Sequence, residues 1–238
     1  AVKAVGEGLG DRIFYLTAKT VTGTVAWETF DQLRRQGYQA KLIQITAKEK
    51  MCLCAEMECN PVHCPYARGH YDRVNDGVFG LLQKEDFFTR EYQVCPFEMS
   101  LDVASWVDDI ICDYNYVFDP NVYLKRFFAE GIRGDYIFLI DEAHNLVERS
   151  REMYSATLRK EDLLAVRKIM KRYQPKLDKD FTKCNRILLD YKRECENYKV
   201  YQDIGSFIFT LMNLASGLDE FLQRSTEFPE RKEVSELY

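Results

Sequence analysis

Two rhythms of apolar and polar positions alternate along the first 150 residues. Short apolar runs at 13–18 (IFYLTA), 40–46 (AKLIQIT), 109–117 (DIICDYNYV) and 136–140 (YIFLI) have strand length, and the first predicts a buried strand. Between them, Val25, Ala26, Phe30 and Leu33 recur near helical spacing over 22–35, a pattern that stops before Gly37. Residues 119–128 predict a second helix, with Pro120 suited to its first turn. Strand, helix and strand joined by short connections predict a parallel, doubly wound α/β sheet.

Residues 48–108 interrupt that alternation. The stretch is cysteine-rich at first and helical in pattern over 71–83 and 101–108, which predicts a small inserted module. After residue 150 the rhythm is helical alone. Leu163, Val166, Ile169, Met170 and Tyr173 form one stripe, and further helices are expected over 181–201 and 204–223. The expected organisation is therefore a sheet domain from 1–47 and 109–150, an insertion at 48–108, and an all-α region at 151–238. The opening AVKAVGEGLGDR reads as the tail of a helix ended by Gly8 and Gly10, so the chain looks cut from something longer.

Composition narrows the classes. A hydrophobic share of 46% with 13% aromatics suits a packed core and argues against wholesale disorder. The net charge of −5 excludes a protein coated in positive charge, although residues 151–199 carry fourteen Lys and Arg against eight Asp and Glu. No run of eighteen apolar residues predicts a membrane helix, and the N-terminal segment lacks the regions of a signal peptide. The expected location is cytoplasmic. In a reducing compartment, eight cysteines favour metal or cluster binding over a disulfide framework.

Cys52, Cys59, Cys64 and Cys95 are separated by six, four and thirty residues, and proline follows both Cys64 and Cys95. Thiolates are soft ligands for iron–sulfur clusters, zinc or copper(I). Zinc knuckles are usually tight Cys-x2–4-Cys pairs, and this chain has no Cys-x2-Cys, which tilts the spacing toward a cluster. Zinc and buried free thiols remain the alternatives on spacing alone. Cys54 stands two residues from Cys52 and could replace it. His63 and His70 are left outside the ligand set, and Cys112, Cys184 and Cys195 read as core or surface thiols.

Asp141-Glu142-Ala143-His144 follows the fourth apolar run directly. Carboxylates at the carboxyl end of a parallel strand sit where such sheets bind ligands. In phosphate-transfer motors an Asp there holds Mg²⁺ and the adjacent Glu positions water. The bland reading is an acidic strand–loop boundary that starts a helix. No Gly-x4-Gly-Lys-Ser/Thr occurs in the chain, so the acidic box is half of a nucleotide site.

In order, FYLTAKT, KEKMC, CNPVHCPYARGHYDR, QVCPFEMSLD, ICDYNYVFDP and LIDEAHNLVE resemble the XPD/DinG family of superfamily 2 helicases, and most closely its bacterial XPD-like branch. The resemblance covers nearly all of residues 1–150. It implies a partial RecA-like first motor domain of the P-loop NTPase type, an iron–sulfur module at 48–108 and part of an arch domain at 151–238. It implies a parent enzyme that uses Mg-ATP to unwind DNA in the 5′→3′ direction on single-stranded or forked DNA, in the bacterial cytoplasm at the nucleoid. It implies a [4Fe-4S] cluster on Cys52, Cys59, Cys64 and Cys95. Asp141 would hold Mg²⁺, Glu142 would activate water, and His144 would couple hydrolysis to DNA. Thr17, Lys19 and Thr20 match the segment that touches the DNA backbone. Arg68 and Arg73 could meet phosphates, and Tyr66, Tyr71, Phe79, Phe87, Phe88 and Tyr92 could stack on bases, with Lys84 a further cation. With the phosphate loop and the second motor domain absent, the chain alone is expected to be inactive. The competing expectation is a metal-stapled protein or nucleic-acid interaction module, on iron–sulfur or zinc, with no ATPase activity.

Overall fold

The computed structural model describes residues 1–18, 20–55, 57, 59–77, 93–225 and 227–237, and not the side chains of 20, 21 and 75–77. The chain divides into two compact units, Ala1–Ser155 and Ala156–Tyr238.

The first unit is built on strands β1 (Arg12–Thr17), β2 (Leu42–Gln44), β3 (Asp109–Asp113) and β4 (Tyr136–Ile140). They pair in the order β2-β3-β1-β4, and each pairing is parallel. The mixed α/β class expected from the apolar runs is the class observed. Side chains two apart share a face, so the central strands sort into two cores. Ile13 and Ile111 pack with Ala26 and Phe30 of a long helix on one face. Phe14, Leu16, Ile110 and Cys112 pack with Ala104, Leu124 and Phe127 on the other. Phe14 is fully buried and meets Phe127, Phe128, Tyr136 and Phe138 at ring separations of 5.1–5.5 Å. β4 lies at the end of the sheet order, and Phe138 and Ile140 on it are 40% and 36% exposed.

Around the sheet run helices α1 (Val2–Gly6), α2 (Thr20–Arg35), α3 (Lys48–Met51), α4 (His70–Gly77), α5 (Pro96–Ala104), α6 (Asn115–Phe118), α7 (Lys125–Phe128) and α8 (Leu146–Met153). Gly8, at φ 72°, follows α1 as the expected glycine stop. The helix expected over 71–83 is α4 as far as Gly77; its remainder lies outside the described residues.

Two expectations fail between β3 and β4. The third strand ends at Asp113 instead of running to Val117. Tyr114 takes helical angles, its ring is fully buried, and the Asp113 carboxylate accepts from the Asn115 N–H at 2.9 Å to start α6. Aromatic and β-branched residues suggested a strand there, and burial of Tyr114 overrode that propensity. The helix expected over 119–128 is only α7. Asp119 precedes Pro120 and is held extended at ψ 123°, and its carboxylate accepts from the Asn121 N–H at 2.8 Å. That turn chemistry postpones helix formation to Lys125.

The second unit contains helices α9 (Lys160–Tyr173), α10 (Asp178–Arg193), α11 (Gly205–Arg224) and α12 (Arg231–Leu237), and no strand among its described residues. Leu163, Val166 and Met170 of α9 meet Phe181 and Cys184 of α10 and Leu214 and Leu218 of α11 in one core. α10 stops at Arg193, short of the expected 201. Beyond it Glu194 turns back to bind Lys199 at 2.6 Å and the Tyr201 hydroxyl at 3.1 Å.

Candidate functional site

All four strands run the same way, so Thr17, Gln44, Asp113 and Asp141 come out along one carboxyl edge of the sheet. The Asp141 N–H continues the sheet by donating to the Leu16 carbonyl at 2.9 Å. The Tyr114 hydroxyl donates to the Asp141 carbonyl from below. Burial, then the charges of Asp141 and Glu142, hold the Tyr114 hydroxyl above its ordinary range, so it stays a donor. Glu142 sits in the left-handed region at φ 49°, ψ 45°, before the 3-10 turn Ala143–Asn145 and α8. Its exposed carboxylate lies 3.2 Å from the exposed His144 ring. The three expected catalytic side chains therefore share one solvent-facing turn, with the backbone of Asp141 clamped from two sides.

α8 is tied back to the same edge. Arg149 reaches the Asn115 side-chain oxygen at 2.9 Å, Asp113 at 3.4 Å and Glu152 at 3.2 Å.

Along the same carboxyl edge, at the ends of β1, β2 and β3, lies a cavity of about 780 Å³. Thr17, Gln44 and Asp113 form its floor, with Phe97, Tyr116 and Tyr123 among its walls. Lys48, Lys50, Lys125 and Arg126 line it against Glu49 and Asp113, so the lining is basic in a chain that is acidic as a whole. The Lys48 ammonium stands 5.3 Å over the Phe97 ring. Of the residues expected to touch DNA backbone, Thr17 is 5% exposed and reaches the cavity floor. Lys19 and the side chain of Thr20 lie outside the described residues, as do Phe79, Lys84, Phe87, Phe88 and Tyr92.

Arg68 and Arg73 are bonded within the cysteine loop. Arg68 donates to the carbonyls of Pro61 at 2.9 Å and Val62 at 2.6 Å. Arg73 donates to those of Pro65 at 3.2 Å and Gln93 at 2.7 Å. Both guanidiniums thus pin backbone next to Cys64 and Cys95. Tyr66 is half-buried and Tyr71 exposed.

The cysteines fall into two neighbourhoods. Cys54 Sγ lies 3.8 Å from Cys64 Sγ, and Cys52 Sγ lies 3.9 Å from the Cys54 carbonyl. Burial and then the Cys64 sulfur push the Cys54 thiol up to about 11. Cys59 and Cys95 instead share Lys48. Burial works to lower the Lys48 pKa, but its bond to Cys59 and the charges of Cys59, Glu98 and Cys95 raise it above the ordinary lysine value. Burial also raises the Cys95 thiol. Five soft donors in one loop-rich stretch suit a cluster or a thiophilic metal by donor chemistry. Among the described residues no three His, Cys, Asp or Glu side chains are spaced to hold one metal ion. The fit is therefore one of donor set, without an assembled coordination geometry.

One buried network had no counterpart in the sequence reading. His70, 4% exposed, places Nε2 at 3.1 Å from Asp102, whose other oxygen accepts from Arg126 at 3.1 Å. Burial opposes ionisation of Asp102, but the bonds to His70 and Arg126 outweigh it and hold the carboxyl below its ordinary range. The network joins α4 to α5 and α7, so it links the insertion to the sheet domain. Thirty-two residues separate His70 from Asp102, and no local pattern signals such a pair.

The fold is a parallel α/β domain with its acidic turn at the carboxyl edge of the sheet, and comparison with known proteins supplies the family. The DEAD_2 family model matches residues 38–163, more than half of the chain, and the chain belongs to that family, as an XPD/DinG-type superfamily 2 member. A regulator of telomere elongation helicase 1 homolog from Anopheles gambiae is 30% identical over 95 residues, which are 39% of this chain and 9% of that protein. A Fanconi anemia group J protein homolog from Gallus gallus is 28% identical over 78 residues, 33% of this chain and 6% of that one. The chain thus spans less than a tenth of either relative. A solved structure of truncated XPD aligns at TM-score 0.54 and 16% identity, over 100% of this chain and 73% of its own. An XPD helicase structure aligns at 0.52 and 17%, over 95% and 40%. At those identities the likeness establishes the fold.

Proposed function

We propose that this chain is part of an ATP-dependent DNA helicase that moves 5′→3′ on a single strand. The observation that carries this reading is the basic, aromatic-walled cavity on the carboxyl edge of a parallel sheet, the same edge from which the acidic turn emerges. Phosphates suit Lys48, Lys50, Lys125 and Arg126, and bases suit Phe97, Tyr116 and Tyr123, a combination that tolerates any sequence. Thr17 would meet the DNA backbone from the cavity lining, and Lys19 and Thr20, shortly after it in sequence, are proposed to do the same. Arg68 and Arg73 hold the cysteine loop, and their remaining N–H groups would be left to meet phosphate.

In the nucleotide half, Asp141 would hold Mg²⁺ of Mg-ATP, Glu142 would orient the attacking water, and His144, 3.2 Å from Glu142, would couple hydrolysis to DNA. With no Gly-x4-Gly-Lys-Ser/Thr in its sequence, the chain by itself does not hydrolyse ATP. Residues 1–47 and 109–150 belong to the first motor domain, 48–108 to a cluster module and 151–238 to an arch region. Cys52, Cys59, Cys64 and Cys95 would hold a [4Fe-4S] cluster there, which would staple a loop with little core of its own. Forked DNA, a bacterial parent and a nucleoid location complete the reading; no helix of the structure is long and apolar enough to cross a membrane.

The lack of a phosphate loop favours a second reading, a metal-stapled interaction module without ATPase ancestry in use. DNA-stimulated ATPase activity of the whole parent protein separates the two, and fluorescence anisotropy with labelled oligothymidine tests the cavity as a single-strand site. The chain should bind with an affinity that falls steeply with salt, and Lys125→Glu, which reverses one cavity charge, should weaken binding at least tenfold. An unchanged affinity in Lys125→Glu, or no binding at low salt, sinks the helicase assignment of the cavity.

A further inference from the structure

The family reading uses four cysteines of the loop, and Cys54 is left over. The structure sets this extra thiol against Cys64. Their sulfurs are 3.8 Å apart, while a disulfide needs about 2.05 Å. The difference is within reach of a side-chain rotation, because the two ends are unequally held. Cys64 is anchored: its N–H donates to the Asn60 carbonyl at 2.9 Å, and its own carbonyl accepts from Ala67 at 3.2 Å and Arg68 at 3.1 Å. Arg73 pins Pro65 immediately after it. Cys64 is also 8% exposed, whereas Cys54 is half-exposed. An oxidant in solution therefore meets Cys54 first and finds a fixed second thiol beside it.

We infer that Cys54 and Cys64 form a redox pair, closing to a disulfide on oxidation and thereby withdrawing Cys64 from metal or cluster binding until the bond is reduced. With hydrogen peroxide, Cys54, whose raised pKa keeps the thiolate a small fraction at neutral pH, attacks the O–O bond as that thiolate, becomes a sulfenic acid and releases hydroxide. The Cys64 thiolate then attacks the Cys54 sulfur, forms the S–S bond and expels a second hydroxide. Each hydroxide takes up a proton lost by one thiol. Two thiols and one peroxide thus give one disulfide and two waters. A dithiol reductant reverses the step by exchange.

The withdrawal of Cys64 rests on the proposed role of Cys64 as a ligand, whereas the pairing rests on geometry alone. The test keeps them apart. The metal-free full chain is treated with stoichiometric peroxide, and free thiols are counted after unfolding. Eight should fall to six. Digestion with trypsin and a glutamyl protease cuts at Lys50, Glu56, Glu58 and Arg68, so the segment with Cys52 and Cys54 is separated from that with Cys59 and Cys64. Without reductant, the two segments should run as one species whose fragments place the bond at Cys54 and Cys64, and Cys54→Ser should abolish it. Bonds scattered over Cys52, Cys59 and Cys95 would overturn the pair. Oxidised and reduced chains are then given ferrous iron and sulfide. The oxidised wild type should take up little iron, recover on reduction, and be surpassed at least fivefold by Cys54→Ser treated in the same way. A Cys54–Cys64 bond with undiminished iron uptake would overturn the gating and, with it, the reading of Cys64 as a ligand, while the pair itself would stand.

Discussion

Glu142 and Asp109 show how differently two acids on one sheet are treated. Glu142 is exposed, and its backbone takes a left-handed conformation that costs a non-glycine residue about 1–3 kcal/mol. The Tyr114 and Leu16 bonds to the neighbouring Asp141 hold the turn in place against that cost. Asp109, at the opposite end of the sheet, is 1% exposed, with one carboxyl oxygen lacking a hydrogen-bond partner. Burial raises its pKa from 3.8 to about 6; Tyr38 donates to its other oxygen at 3.4 Å and works against the shift, and Asp108 adds to it. The unfolded chain releases this proton near 3.8 and the folded chain near 6. Between those values the folded state binds more protons, so rising pH weakens it, by on the order of 2–3 kcal/mol in full. Asp109→Asn should therefore gain stability relative to wild type as pH rises from 4 to 7. Urea unfolding of both proteins across that range checks it, and a difference that stays flat with pH would count against a proton on Asp109.

At the scale of elements, amphipathic helices with long periodic stripes form where their pattern places them, and short segments answer to tertiary demands. α9 spans the stripe from Leu163 to Tyr173, because about three turns of one apolar face have a single way to be buried. The segment from Tyr114 to Phe128 carries equally apolar residues but is broken by Asp113, Asp119 and Pro120 into a turn and two one-turn helices. Phe181 of α10 is fully buried in the apolar core it shares with α9 and α11. Phe181→Ala should cost about 3–5 kcal/mol of the second unit's stability. Far-UV circular dichroism should show the loss as an earlier helical transition.

For the whole molecule, the two units have separate cores, and both tryptophans, Trp27 and Trp106, lie in the first. Tryptophan fluorescence therefore reports Ala1–Ser155 alone, and circular dichroism reports both. Anaerobically purified chain, if it holds the proposed cluster, should unfold at lower temperature by fluorescence after chelation of its iron, while the helical transition of the second unit stays in place. Phe181→Ala should do the reverse. A single coincident transition that moves with either change would show that the units unfold as one. Iron and sulfide near four each per chain are expected before chelation, and about one zinc with no colour would favour the zinc alternative.

The chain order of motifs, the parallel α/β class and the helical character after residue 150 were legible in the sequence, because periodicity and chain order are properties of the sequence itself. So were the acidic turn and the soft donors of the loop, since each announces itself by residue type at short range. Tertiary structure alone decided that Tyr114 clamps Asp141, that Lys48 serves both the cavity and Cys59, that Arg68 and Arg73 hold backbone carbonyls, and that Cys54 faces Cys64. It also joined His70 and Arg126 to Asp102, from which they lie 32 and 24 residues away along the chain. These contacts depend on distances that no local pattern encodes, and such distances are set by how the sheet and its insertion pack.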